Sequence, residues 1–119
     1  MFRGLRTVIY PAPDLEGAKE WWSSVLALQP YFDEPFYVGF NVGGYELGLD
    51  PSADPTGGSV AYWGVVDIAD ALGVLMGGGA QPRSDITDVG DGIKVATVVN
   101  PVGDIVGLIE NPHFKLEVA

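Results

Sequence analysis

The sequence predicts an α+β domain built as two tandem β-α-β-β-β modules. Three observations carry that expectation. Apolar residues recur with strand, then helix, then strand periodicity, in the same order in each half of the chain. The halves align near their starts at an offset of 53 residues, with Thr7 on Val60, Tyr10 on Trp63, Asp14 on Asp67, Leu15 on Ile68 and Ala18 on Ala71. Between them runs DPSADPTGGS (Asp50 to Ser59), all turn formers, which reads as a linker. One domain of 119 residues thus divides into module one at about 5–50, a linker at about 51–59 and module two at about 60–112.

Leu5 to Ala12 reads as the first strand, ended by Pro11 and Pro13, which cannot donate to a ladder. Asp14 is placed to cap a helix reaching about Leu28, with Leu15, Ala18, Trp22, Val25 and Leu26 as its core stripe and Glu16, Lys19 and Glu20 in water. Trp22 reads as core and Trp21 as a rim or interface residue. Pro30 closes the helix. Extended pieces follow at Gln29 to Glu34, Phe36 to Val42 and Tyr45 to Asp50, the last two joined by a Gly43-Gly44 hairpin turn. Phe36, Val38, Phe40 and Val42 alternate with Tyr37, Gly39 and Asn41, giving that strand an apolar and a polar face.

The pattern then restarts. Val60 to Val66 reads as a strand and Asp67 as a second helix cap. Ile68, Ala71, Leu72, Leu75 and Met76 form a shorter apolar helix stopped by Gly77-Gly78-Gly79. Strands at Arg83 to Val89, Ile93 to Asn100 and Asp104 to Glu110 complete the module, with a tight turn at Pro101-Val102-Gly103.

Composition sets bounds on function. Six basic against 16 acidic residues give a net charge of −10, which argues against a nucleic-acid or anionic-membrane surface. Hydrophobic residues at 47% and charged residues at 18% describe a globular chain rather than a disordered one. The lack of cysteine removes disulfides, thiolate nucleophiles and Cys-bearing metal sites, and fits a reducing cytoplasm. No signal-peptide core precedes Pro11, and apolar runs such as Val95 to Val99 are strand-sized, so the expectation is a soluble cytoplasmic protein. The triple glycine lacks the lysine and the strand-before, helix-after context of a phosphate loop, and no G-x-S-x-G nucleophile elbow is present. The single histidine, His113, lies beyond the last strand and reads as a tail residue, while Arg83, Asp85 and Asp91 read as surface charges.

The stretches TVIYPAPDLEGAKEWWSSVLAL (Thr7 to Leu28), VGGYELGLDP (Val42 to Pro51), VAYWGVVDIADAL (Val60 to Leu72) and NPVGDIVGLIEN (Asn100 to Asn111), taken in order, resemble the glyoxalase / bleomycin-resistance / dioxygenase, or vicinal oxygen chelate, superfamily. The resemblance covers roughly Leu5 to Pro112. It implies that the modules form a curled mixed sheet around a cup, helices outside. In metal-using members four ligands line such a cup, one from the first strand of each module and the others from the last strands. The matching first-strand positions are Thr7 and Val60, neither a competent metal ligand. The last-strand positions are Glu46 and, with Leu47 aligned on Leu108, Gly107; a slip that exchanges faces would substitute Glu110. One carboxylate does not make a transition-metal site, so the expectation is no metal and no other cofactor.

The cup would then be lined by Thr7, Tyr37, Asn41, Glu46, Val60, Tyr62 and Gly107, a Tyr/Asn lining suited to a planar or semi-apolar ligand. Three functions compete. The first is a metal-free cup binding a small organic molecule, a cationic one being favoured by the net charge. The second is a glyoxalase-like lyase or isomerase acting on a small carbonyl or thiol-adduct substrate, with Glu46 as its catalytic base. The third is a domain that only dimerises or regulates a partner. A homodimer is implied by the resemblance in each case.

Overall fold

Each helix begins at the aspartate expected to cap it. In the computed structural model, which describes residues 1–115, the Asp14 carboxylate accepts from the Gly17 N–H at 3.1 Å and Asp67 from the Asp70 N–H at 3.0 Å. These contacts satisfy amide donors that have no partner within a helix.

The first compact unit spans Thr7–Val60 among the described residues, together with Lys115. Its elements are β1 (Leu5–Pro11), α1 (Leu15–Leu26), β2 (Phe32–Glu34), β3 (Tyr37–Val42) and β4 (Tyr45–Asp50), followed by a short 3₁₀ turn at Pro55–Gly57. The strands lie in the order β2-β3-β4-β1, with β1 and β4 parallel and the other neighbours antiparallel. Helix α1 stops at Leu26 instead of about Leu28, because Ala27 takes a left-handed φ of 54°. The first of the three later strands is reduced to Phe32–Glu34, since Pro30 has no N–H to offer a ladder. Gly43 and Gly44, with φ of 63° and 94°, make the tight β3–β4 turn that side chains would strain.

Leu47 and Leu49 on β4 and Val38, Phe40 and Val42 on β3 pack with Ala12 against Leu15, Ala18, Trp22 and Leu26. Val25, expected in that stripe, is 58% exposed; it sits beside Ala18 at the stripe's edge and turns outward. Tyr10 meets Trp22 in a tilted ring contact, 5.4 Å between ring centres.

The second unit joins Met1–Arg6 to Ala61–Phe114. Its elements are β5 (Val60–Gly64, beginning at the boundary), α2 (Ile68–Gly77), β6 (Gln81–Gly90), β7 (Ile93–Val99) and β8 (Ile105–Glu110), in the sheet order β5-β8-β7-β6. Again the first and last strands pair in parallel and the others antiparallel. Val65, Ile68, Ala71, Ala96 and Leu108 form its core, with Leu72 and Leu75 against them. The N-terminal segment is tied in by Arg3 N–H to Gly64 O and Gly64 N–H to Gly4 O, both 2.8 Å, and by Phe2 stacked on Trp63. Asn100 organises the turn before β8, accepting from the Asp104 N–H at 2.8 Å. Among the described residues no helix is long and apolar enough to cross a membrane.

Candidate functional site

Side chains alternate across a strand, so the residues that send Leu47 and Leu49 toward α1 also send Glu46 and Gly48 to the opposite face of the sheet. There the register sets Thr7 of β1 and Asn41 of β3 on either side of Glu46, and Ile9 and Gly39 on either side of Gly48.

Glu46 is half-buried and its carboxylate is surrounded by hydroxyls. Oε1 accepts from the Thr7 hydroxyl at 3.3 Å and from the Tyr37 hydroxyl at 3.0 Å. Oε2 accepts a short hydrogen bond from the Tyr31 hydroxyl. Two glycines make this possible. A Cβ on Gly39 would stand 2.9 Å from Oε2 of Glu46 and 3.1 Å from the Tyr31 ring. One on Gly48 would stand 2.6 Å from Cζ of Tyr37. Glycine at these points is the space into which the tyrosines and the carboxylate fit.

Partial burial, then the hydrogen bond to Glu46 and the charge of Glu46, hold the Tyr31 phenol above its ordinary range. Although the residue is 62% exposed, its hydroxyl lies against the Glu46 carboxylate, and Tyr31 is a neutral donor at physiological pH. Beyond it, Phe32 meets Phe36 and Tyr37 edge-on at 5.9 and 6.2 Å, and Phe36 is 65% exposed, so an open aromatic rim adjoins the carboxylate.

Of the residues expected at a site, Thr7, Tyr37 and Glu46 come together. Asn41 neighbours Glu46 in register, but its Oδ1 accepts from the Gly44 N–H at 2.8 Å and serves the hairpin turn. In the second unit Tyr62 lies across from Gly107, where a Cβ would be 2.6 Å from the Tyr62 ring; Gly107 supplies room and no donor. Val60 is a half-buried apolar residue.

The register also changes one equivalence. Tyr62 stands 53 residues after Ile9, whose partner is Gly48, so Gly107 is the counterpart of Gly48 and Ile105 that of Glu46. The alignment of Leu47 on Leu108 is off by one full pleat, because a two-residue shift preserves faces and is invisible to alternation. Glu110 does not take the place of Glu46: its Oε1 accepts from the Ile68 N–H at 3.0 Å at the start of α2, and its Oε2 lies 3.9 Å from Lys94 Nζ. Tyr31 was missed. It precedes β2, and only the pairing of its N–H with Gly39 O at 3.0 Å brings its ring over Glu46.

The donor set does not fit a transition metal. The four positions hold a hydroxyl, an apolar side chain, one carboxylate and a glycine, or isoleucine in the corrected register. Among the described residues no three of His, Cys, Asp and Glu converge. His113, the sole histidine, has its Nε2 2.8 Å from the Asp91 carbonyl.

No family model matches the sequence, and no curated protein does. Solved structures do match. A glyoxalase/bleomycin resistance protein/dioxygenase superfamily member from Vibrio splendidus 12B01 superposes with a TM-score of 0.68 at 16% identity, covering 90% of this chain and 99% of that one. Methylmalonyl-CoA epimerase from Streptomyces coelicolor, in complex with 2-nitronate-propionyl-CoA, gives 0.76 at 12% identity, covering 94% and 99%. The Mn(II)-bound glyoxalase from Novosphingobium aromaticivorans gives 0.70 at 14% identity, covering 99% of this chain and 42% of that one. At these identities the likeness speaks to backbone architecture, and with the paired βαβββ modules it shows that this chain has the vicinal oxygen chelate fold.

Proposed function

We propose that the first unit binds a small organic molecule bearing a cationic group, held over Glu46 without a resident metal. The observation that carries this reading is the engagement of both Glu46 oxygens by three hydroxyl donors, with no second metal-type donor at the matching positions. Such a carboxylate presents a fixed negative charge. Three of its roughly four lone-pair sites, which a base would use to take up a proton, are already occupied. The rings of Tyr31, Phe32 and Phe36 offer π faces beside that charge, a combination that favours amines and quaternary ammonium groups. The net charge of −10 draws cations in the same direction.

A lyase or isomerase is the second reading. It is favoured by the likeness to an epimerase and a glyoxalase, and by the pairing of Thr7 with Glu46 on the first and last strands of the module. It requires Tyr31 and Tyr37 to release Glu46 when substrate arrives, so that the carboxylate can accept a proton. The lack of cysteine fits a cytoplasmic setting for either, and gel filtration tests the homodimer.

The deciding experiment is calorimetric titration with benzyltrimethylammonium and with its neutral carbon isostere, together with elemental analysis of the purified protein. Saturable binding of the cation alone, weakened about tenfold or more in Glu46→Gln, supports the reading. Equal binding of the isostere, or one retained metal ion per chain, sinks it.

A further inference from the structure

A second, independent feature lies in the other unit. A cleft of about 370 Å³ opens there, lined by Arg3, Arg6, Gly64, Asn111 and Phe114 among others. That volume is within the range of small-molecule sites. Two of the chain's six basic residues share it, in a protein with a net charge of −10.

The Arg6 guanidinium is held in place. It lies 3.8 Å over the centre of the Phe114 ring, and its Nη1 donates to the Leu5 carbonyl at 3.2 Å. A Cβ on Gly64 would stand 2.6 Å from Arg6 Nε and 2.8 Å from Cζ, so this glycine is the floor on which the fork rests. The other well-placed cations of the fold are used: Lys19 pairs with Glu16 and Asp33, Lys94 faces Glu110, and Arg83 donates to Thr97. Arg3 and Arg6 have no ion pair among the described residues. Asn111 spends its Oδ1 on the His113 N–H at 2.9 Å, which leaves its amide N–H groups as the donor end. Glu110 also lines the cleft, and its carboxylate is engaged by the Ile68 N–H and by Lys94.

We infer that this cleft binds a small molecule through an oxyanion, a phosphate or a carboxylate, gripped by Arg6 with Arg3 and Asn111 beside it. A planar guanidinium already stacked and positioned loses little freedom on meeting a bidentate acceptor, which is where arginine outperforms lysine. The inference does not depend on the cation reading of Glu46, since no residue is shared between the two sites.

The test is calorimetric titration of the whole protein at low ionic strength with phenyl phosphate and with benzoate. Saturable binding at one per chain is expected for at least one of them. Preference for phenyl phosphate assigns a phosphate ligand, and preference for benzoate a carboxylate ligand. Arg6→Gln should weaken binding about tenfold or more, while Arg83→Gln, which removes an equal charge elsewhere, should leave it unchanged. Arg6→Lys keeps the charge and the apolar stem but lacks the fork, and should fall between wild type and Arg6→Gln. If Arg6→Gln fails to fold, loss of affinity in Arg6→Lys with an unaltered circular dichroism spectrum carries the same conclusion. Absence of saturable binding for both compounds overturns the inference, as does equal weakening by Arg83→Gln and the Arg6 variants.

Discussion

The two modules share a topology and differ in what they do with it. Both run β-α-β-β-β, both start their helix on an aspartate, and both pair first and last strands in parallel. Both also place a glycine at the same point of the last strand, Gly48 and Gly107, and both fill the space above it with a tyrosine. The tyrosines come from opposite sides: Tyr37 reaches Gly48 from β3, whereas Tyr62 reaches Gly107 from β5. One pleat earlier, module one carries Glu46 and module two Ile105. Backbone pairing and caps are constrained by hydrogen bonding and so repeat. Side chains on the face away from the helix are free of that constraint, and there the chemistry has diverged.

The largest expected contrast is between the cores. Phe40 and Leu108 are each fully buried. Phe40→Ala should destabilise by about 3–5 kcal/mol and Leu108→Ala by about 2–5 kcal/mol, measured by urea unfolding. A single transition for both variants would show that the modules unfold as one; two separated transitions would show that each core stands by itself.

Adding one methyl to each equivalent glycine sharpens the comparison. Gly107→Ala must displace the Tyr62 ring and also approach the Ala61 carbonyl at 2.9 Å, an overpacking that should destabilise by about 1–3 kcal/mol. Gly48→Ala should instead push the Tyr37 hydroxyl off Glu46, so ammonium binding should change in this variant and not in Gly107→Ala. Equal binding changes in both would remove the assignment of the site to module one.

The caps come next. Asp14→Ala should lower stability by about 1 kcal/mol. Asp67→Ala should have the smaller effect, because the Glu110 carboxylate still accepts from the Ile68 N–H at the start of α2. Thermal unfolding of both variants, alone and with Glu110→Gln, reads this difference.

The smallest effect is confined to alkaline pH. A phenol raised above its ordinary value of 10.0 in the folded protein contributes stability that is present below about pH 10 and lost as pH climbs through the folded value. The denaturation midpoint of wild type should therefore fall more steeply above pH 10 than that of Tyr31→Phe. Parallel curves would mean that the Tyr31–Glu46 contact does not persist in solution.

Much of this was legible in residue order. Alternation in Phe36 to Val42, helical spacing from Leu15 to Leu26, and Asp14 and Asp67 at their offset of 53 residues specify elements through local periodicity, which needs no knowledge of distant contacts. The same logic put Tyr37 on the polar face of its strand and Glu46 opposite Leu47 and Leu49, while it was the family resemblance that turned both toward one lining. Periodicity failed at Tyr31, whose ring direction follows from a long-range hydrogen bond to Gly39, and at Val25, which sits at the edge of a helical stripe.

The sequence by itself determined the modules, their caps, the polar faces of their strands, the single histidine and the lack of cysteine, since each of these is a property of neighbouring residues or of composition. Tertiary structure alone decided the register that matches Ile105 with Glu46, the three hydroxyls gathered on one carboxylate, and the seating of Arg6 between Gly64 and Phe114. Those depend on which strand lies beside which, and by how many residues it is shifted, and a two-residue shift leaves the apolar pattern unchanged while moving every partner by one pleat.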